Sequence, residues 1–187
     1  MWAVLGLSFG LSSYIEAHIW DQMIRIRPVR VEDAEGVIGV LNPLIQSRDH
    51  TVLDRVLTVD EERSFISGFP KRGVFHVAER DPGGLIVGFQ NVEPFAAYTG
   101  AFAHVGVIGT YVDPSRHRQG IGRLLFESTR LVAREKGYEK FFAFVRADNT
   151  GALSFYKRIG FNVIGVAKHH AKINGKYVDE VMIERPI

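Results

Sequence analysis

The residues from Arg118 to Arg123 (RQGIGR) have the types and the spacing of a phosphate-binding turn between a strand and a helix. Gly120 and Gly122 remove side chains where a backbone has to approach a ligand closely. The unpaired N–H groups at a helix start favour an anion, and Arg118 and Arg123 add charge-assisted donors. On its own, the turn indicates an anion site at the start of a helix. The alternative is a tight turn without a ligand.

Two well-known phosphate motifs do not fit this turn. A P-loop ends in Gly-Lys-Ser/Thr, which is absent here. A dinucleotide fingerprint needs a third glycine, and Leu125 stands at that position. The anion would therefore be held by two glycines, backbone N–H groups and arginines.

Apolar periodicity and turn residues predict the elements that position this turn. The first helix, from about Val31, is expected to end or kink at Pro43. Thr58 and Glu61 form a capping box that starts the second helix. The other predicted elements are strands at 24–29, 73–79, 85–95, 101–112, 140–146, 161–167 and 177–183, and helices at 120–136 and 149–159. Because helices connect only some of the strands, we expect a mixed α/β (α+β) sheet.

Composition and charge limit the class of function. The 187 residues suit one domain, and the net charge of +2 gives no general case for nucleic-acid binding. No apolar run reaches the ~20 residues that span a bilayer, so no membrane partner is expected. The absence of cysteine excludes disulfides, thiolate zinc sites and a cysteine nucleophile, and is consistent with the cytoplasmic location that we expect.

The segment MIRIRPVR, which begins at Met23, reads as the natural start of the domain. We therefore expect residues 1–22 to be an N-terminal extension and residues 23–187 to be the domain. The extension is either a dispensable arm or an amphipathic helix that packs on the domain or on a partner.

A second motif follows the turn, from Asn149 to Phe161 (NTGALSFYKRIGF). The two motifs resemble Q/R-x-x-G-x-G/A and N-x-x-A-x-x-x-Y-x-x-x-G-F of the GCN5-related N-acetyltransferase (GNAT) superfamily. They occur in the family's order and on the expected elements, and the resemblance extends over the chain from Met23. The start and the end of the domain are most similar to the branch of phosphinothricin and amino-acid acetyltransferases.

The resemblance implies acetyl-CoA as the cosubstrate and a single domain built around its site. The fold implied has a mixed sheet of about seven strands with helices on both faces. It is split between the strand at 110–112 and the strand at 140–146. The turn would bind the pyrophosphate, the first of these strands would pair with the pantetheine arm, and Asn149 would hydrogen-bond to that arm. The implied cofactor-binding residues are Thr110, Tyr111, Val112, Arg118, Gln119, Gly120, Ile121, Gly122, Arg123 and Asn149.

Two positions depart from the family pattern. The first motif position, normally Gln or Arg, is His117. A neutral histidine is a weaker phosphate donor, so we expect lower CoA affinity unless Arg116 compensates. The phosphinothricin branch carries a glutamate where this chain has Val107, and this difference weakens the prediction of that branch's substrate.

The implied reaction is direct attack of an amine on the thioester carbonyl within a ternary complex. An amine with a pKa near ~10 is mostly protonated at neutral pH, so a base must remove its proton. Glu93 is the first candidate and His104 the second, while Tyr156 is expected to protonate the leaving thiolate. His169 and His170 are expected to line the amine pocket. A metal is the alternative for these histidines, but no third ligand has a suitable spacing, so none is predicted.

The acceptor is expected to be a small-molecule amine, either an amino acid or an amino-group toxin. The alternatives are a protein N-terminus or lysine, or a non-catalytic domain that senses acyl-CoA. Acceptor pockets in this superfamily are built from variable loops, here 46–58 and 94–102. The oligomeric state is left open, with a homodimer as the commonest assembly.

Overall fold

The computed structural model describes residues 23–187, which contain seven strands and four α-helices. The strands are β1 (Met23–Pro28), β2 (Val74–Asp81), β3 (Leu85–Pro94), β4 (Val105–Val112), β5 (Lys140–Arg146), β6 (Asn162–Ile173) and β7 (Lys176–Pro186). The helices are α1 (Ala34–Ser47), α2 (Val59–Ser67), α3 (Ile121–Glu135) and α4 (Thr150–Arg158). This order confirms the predicted β-α-α-β-β-β-α-β-α-β-β succession. The predicted extension, residues 1–22, lies outside the described residues.

The seven strands form one mixed sheet in the order β1-β2-β3-β4-β5-β7-β6. Only β4 and β5 are parallel to each other, whereas all other neighbouring strands run antiparallel. Parallel neighbours need a crossover connection, and α3 supplies it. The start of α3 therefore lies beside the end of β4, where the glycine turn joins them.

Helices cover both faces of the sheet, as predicted. On one face, Phe126 of α3 and Tyr156 of α4 belong to a buried cluster with Phe141 of β5. On the other face, Leu41 of α1 and Ile66 of α2 belong to a second cluster. Successive side chains of a strand alternate between these two faces. We call them the α3/α4 face and the α1/α2 face.

The first helix was predicted to end or kink at Pro43, and the prediction that it ends there was wrong. Helix α1 begins at Ala34, after a single 3-10 turn, and continues through Pro43 to Ser47. Proline removes one helical hydrogen bond at this point. Burial of Leu44 and Ile45, 4% and 1% exposed, offsets that cost.

Local capping and turn signals gave most of the other boundaries. Thr58 and Glu61 form the predicted capping box at the start of α2. The final hairpin turns at Asn174 and Gly175, both with positive φ. The strand expected from residue 101 begins only at Val105, because residues 100–102 form a 3-10 turn instead.

The split predicted between two central strands is present between β4 and β5. The two strands pair over only three positions, of which Val107 with Phe142 is the last. Both strands continue beyond this point, to Val112 and Arg146. The β5-facing edge of β4 is therefore without a neighbouring strand from residue 108 to 112. We call the last paired position, Val107 with Phe142, the apex of the split.

Candidate active site

Glu93 lies at the apex of the split. Glu93 of β3 is the cross-strand neighbour of Val107, and Val107 is the neighbour of Phe142. Val92 and Phe141, one residue earlier on their strands, belong to the cluster of the α3/α4 face. Glu93, Val107 and Phe142 therefore project from the α1/α2 face in one row. A carboxylate therefore lies beside Val107, on the neighbouring strand.

The surroundings of Glu93 favour a basic carboxylate. Burial raises the pKa of Glu93 above its ordinary value. Its contact with the Asn91 amide is long, at 3.4 Å between Nδ2 and Oε1. A carboxylate with a raised pKa takes up a proton more readily, which suits a general base.

Tyr111 and Glu62 are part of the same region, and sequence reasoning gave neither side chain a role. The Tyr111 ring stacks on Phe89, with ring centroids 4.7 Å apart. It folds back over Gly109, where a Cβ would lie 3.1 Å from Tyr111 Cε2 and 2.6 Å from Asn91 Oδ1. Gly109 thus makes room for both polar side chains beside the split.

Glu62 is a buried carboxylate near Tyr111. It lies in the first turns of α2 and is 3% exposed. Ile66, one helical turn later, packs in the core of the α1/α2 face, so Glu62 points to the same side. Burial alone raises the pKa of Glu62, and no hydrogen bond or ion pair within residues 23–187 opposes it. Burial raises the pKa of Tyr111, and the carboxylates of Glu93 and Glu62 add to this effect.

The opposite face of the split holds Tyr156. Its hydroxyl donates to Thr110 Oγ1 at 3.0 Å, and the Gln90 amide donates to the same oxygen at 2.8 Å. Tyr156 is 5% exposed, and burial raises its pKa while the Thr110 hydrogen bond opposes this effect. Tyr156 therefore keeps its proton at neutral pH. Its position below the unpaired edge of β4 is suitable for a proton donor.

The predicted phosphate turn has the geometry of an anion cradle. Arg118 and Gly120 have positive φ, at 64° and 83°. Gly120 is the N-cap of α3, and a Cβ there would meet no atom within 4 Å. The N–H groups of Ile121 and Gly122 have no acceptor inside the helix, whereas those of Arg123 and Leu124 donate to the Gly120 carbonyl. Arg118 and Arg123 are exposed, so backbone donors and two guanidinium groups are available together.

Gly122 has a further structural role. A Cβ there would lie 3.0 Å from Cε2 of Phe155 on α4. The missing side chain thus lets α3 and α4 pack closely, in addition to the ligand approach expected from the sequence.

Asn149 and His117 have partners inside the protein. Asn149 caps α4 by accepting from the Ala152 N–H at 3.0 Å, and its Nδ2 donates to the His50 carbonyl at 3.1 Å. Nε2 of His117 lies 3.1 Å from the Val112 carbonyl at the end of β4. The Asn149 bond ties the loop after α1 to the open end of the split. Contact of Asn149 with the pantetheine arm stays a prediction.

The histidines considered from the sequence lie in different places. His104 is exposed and precedes β4 at the closed side of the apex. His170 stacks on Phe144, with centroids 5.7 Å apart, on the α1/α2 face. The His169 N–H instead donates to Asp179 at the hairpin of β6 and β7. Of the three, only His170 lies on the α1/α2 face beside the split.

Aromatic side chains of β5 lie across the split from Glu93, on the α1/α2 face. Phe142 and Phe144 of β5 project from the α1/α2 face, and Phe95 packs edge-on against Phe142 at 5.4 Å. Phe144 and Phe95 are 45% and 39% exposed. Phe144 thus lies across the split from Glu93, whereas Phe95 follows β3 two residues after Glu93 and reaches Phe142 beside the apex.

This geometry agrees with what is found by comparison with known proteins. The family model for the acetyltransferase (GNAT) domain matches residues 26–182. The chain belongs to the GNAT acetyltransferase family. It is therefore an acyltransferase, and the resemblance seen in its two motifs is confirmed.

Relatives of this acetyltransferase include YwnH of Bacillus subtilis (strain 168), a phosphinothricin acetyltransferase homologue. YwnH is 24% identical over 162 residues, which cover 87% of this chain and 98% of YwnH. Mycothiol acetyltransferase of Kocuria rhizophila is 31% identical over 144 residues, or 75% of this chain and 46% of that enzyme.

Solved structures share the fold. The phosphinothricin acetyltransferase of Sinorhizobium meliloti in complex with acetyl-CoA has a TM-score of 0.80 at 17% identity, and the match covers 89% of each chain. An N-acetyltransferase from Staphylococcus aureus Mu50 has a TM-score of 0.81 at 20% identity, over 88% of this chain and 99% of that one. Within residues 23–187 of the acetyltransferase, no helix is both long and apolar enough to cross a membrane.

The stability of the acetyltransferase should depend on pH through Glu62. The pKa of Glu62 is higher in the folded protein than in the unfolded chain. The free energy of unfolding therefore falls as the pH rises through the folded-state pKa. Glu62→Gln is therefore expected to raise the melting temperature at neutral pH by a few degrees, about 2–4 °C per kcal/mol. The melting temperatures of the parent and of Glu62→Gln should become equal below about pH 4. A variant that is less stable than the parent at pH 7 would contradict this expectation.

Proposed function

We propose that this acetyltransferase moves an acetyl group from acetyl-CoA to a primary amine of a small molecule. The amine would attack the thioester directly while both substrates are bound. The observation that carries the proposal is the split between β4 and β5, with Glu93 at its apex on one face and Tyr156 beneath it on the other.

The split and the turn fit an extended acyl-CoA. From Val112 to Val107, β4 spans five residues, or about 17 Å at the usual rise. An extended pantetheine arm has a comparable length, so a pyrophosphate at Gly120 would place the thioester near the apex. The β5-facing edge of β4 has free backbone groups along this path. Those N–H groups are the donors available to an oxyanion.

Glu93 and Tyr156 would perform the two proton transfers. Glu93 accepts the proton of the attacking ammonium, because its pKa is raised toward neutral pH by burial. Nitrogen then attacks the carbonyl carbon, the carbon–sulfur bond breaks, and the nitrogen releases its second proton to water. Tyr156 donates its proton to the departing sulfur and regains one from water. Thr110 Oγ1 accepts the Tyr156 hydrogen bond at 3.0 Å and so holds the hydroxyl beside β4. The hydroxyl proton would have to turn from Thr110 toward the sulfur.

Tyr156→Phe tests the second transfer. A thiolate is a weak base, with a reference pKa of about 8.5, so it leaves with little help. We therefore expect kcat to fall about tenfold to a hundredfold, at the low end for general acid catalysis. Loss of the Thr110 hydrogen bond should cost about 1 kcal/mol of stability. Steady-state kinetics and thermal unfolding measure the two effects.

Tyr138→Phe is the matched control. Tyr138 is 2% exposed, lies in the same buried cluster, and has a hydroxyl without a hydrogen-bond partner within residues 23–187. Its removal should leave both kcat and stability close to those of the parent. Equal kinetics for the two variants would exclude Tyr156 as the proton donor.

The whole proposal is tested by release of free CoA from acetyl-CoA in the presence of a panel of amines. Acetylation of small amines, with a rate that depends on Tyr156, is the expected result. If CoA binds and no amine is acetylated, the domain is a sensor and the proposal fails. If only a peptide N-terminus or a lysine side chain is acetylated, the acceptor is a protein.

A further inference from the structure

Glu62 and Glu93 are two carboxylates on the α1/α2 face without a cationic partner in the described part of the chain. Neither makes an ion pair within residues 23–187, and desolvation is what shifts the pKa of each. They extend from different elements, α2 and β3, on the same face of the sheet. Tyr111 packs in the cluster that contains Ile66 of α2 and stacks on Phe89 of β3. Glu62 is buried and Glu93 is partly buried, and a carboxylate removed from water is costly without a compensating positive charge.

The cations of β5 on this face are already neutralised. Lys140 pairs with Glu184 at 2.5 Å, and Arg146 pairs with Asp148 at 2.7 Å while it also donates to the Thr51 carbonyl. His170 lies 3.8 Å from the Glu180 carboxylate. A carboxylate on the acceptor would therefore face Glu62 and Glu93 without a free cation from β5 or from His170.

We infer that the acceptor is a compact aliphatic diamine, with its reacting amine at Glu93 and its second ammonium held by Glu62. This inference rests on the proposed acetyl transfer. The exposed rings of Phe144 and Phe95 supply an apolar surface for the methylene groups and a π face for the cation. An amino acid, which carries a carboxylate in place of a second ammonium, is disfavoured.

Three amines with four carbons each distinguish these charges: putrescine, n-butylamine and γ-aminobutyrate. They carry a second ammonium, a methyl group and a carboxylate, respectively. We expect kcat/KM to be highest for putrescine, about tenfold lower for n-butylamine and about a hundredfold lower for γ-aminobutyrate. CoA release with saturating acetyl-CoA measures all three.

Glu62→Gln identifies the residue responsible. The ratio of kcat/KM for putrescine to that for n-butylamine should fall about tenfold in this variant, chiefly through KM. Asp60→Asn is the matched control: Asp60 lies two residues earlier on α2, and its side chain is 89% exposed. It removes the same charge from the same helix turn, and the ratio should stay at the parent value.

The outcomes distinguish failure of the inference from failure of the proposed function. If γ-aminobutyrate or n-butylamine reacts as well as putrescine, or if Glu62→Gln leaves the ratio unchanged, the diamine inference is wrong and amine acetylation still stands. If no amine of the panel or of a wider set is acetylated, the proposed function itself fails. A fall in the ratio for Asp60→Asn equal to that for Glu62→Gln would show a general charge effect and would also overturn the inference.

Discussion

Glu93→Gln is expected to lower kcat/KM for amine acetylation by about a hundredfold to a thousandfold at neutral pH. An aliphatic ammonium with a pKa near ~10.4 is free base in only about one molecule in 2,500 at pH 7. Without a base at the apex, only that fraction of the amine can react. Loss of Glu93 should therefore cost more activity than loss of Tyr156, because an ammonium is a far weaker acid than a thiol.

The pH profile identifies the cause of the loss. In the parent, kcat/KM should rise with pH as Glu93 ionises, at a pH above the ordinary glutamate range because burial raises its pKa. In the variant this step disappears, and activity should climb toward the parent level as the pH approaches the pKa of the amine. A variant with a parent-like profile would exclude Glu93 as the base.

Val107→Glu offers a rescue of Glu93→Gln. Val107 is the cross-strand neighbour of Glu93 on the same face, so a carboxylate there returns the charge to the apex. We expect the double variant to recover at least about tenfold in kcat/KM. Glu135→Gln, at the exposed end of α3, is the control for the loss of one negative charge. Absence of rescue together with a normal fold would mean that the two positions do not share one reaction centre.

Gly120→Val is expected to weaken CoA binding at least about a hundredfold, or about 2.7 kcal/mol. Gly120 has a φ of 83°, and the space above it is open. A valine side chain would fill the volume needed by the pyrophosphate. It would also be strained, because a β-branched residue is an outlier at positive φ. Calorimetric titration with CoA measures the affinity.

Gly175→Val is the control for backbone strain. Gly175 has a φ of 79°, and a Cβ there also meets nothing within 4 Å, but it lies in the hairpin turn between β6 and β7. Both variants should lose about 1–2 kcal/mol of stability from the strain. Only Gly120→Val should lose CoA affinity. Equal CoA affinities in the two variants would show that the glycine turn is not part of the CoA site.

Features encoded by neighbouring residues could be predicted from the sequence. The capping box of Thr58 and Glu61, the Asn174-Gly175 turn and the glycine turn before α3 each depend on a few consecutive residues. Their hydrogen bonds and backbone angles are local, so residue type and spacing were enough. The same locality allowed the two motifs to identify the family, the seven strands and the split.

Features that depend on distant segments were decided only by the tertiary structure. Burial of Leu44 and Ile45 let α1 run through Pro43, although the local signal predicted an end or a kink. The register of β3 with β4 brought Glu93 beside Val107, the position where the family's glutamate is missing. Register depends on a whole strand pair, and a slip of one residue would turn Glu93 to the other face.

The sequence by itself thus determined the family, the order of elements and the residues expected to hold the donor. The tertiary structure decided how the α1/α2 face of the split is built, because its parts come from four separate segments. Glu62 of α2, Glu93 of β3, Tyr111 of β4 and Phe144 of β5 come to lie on this face only after the sheet and its helices have packed. No spacing along the chain encodes that proximity, since long-range packing alone determines the distances between these side chains.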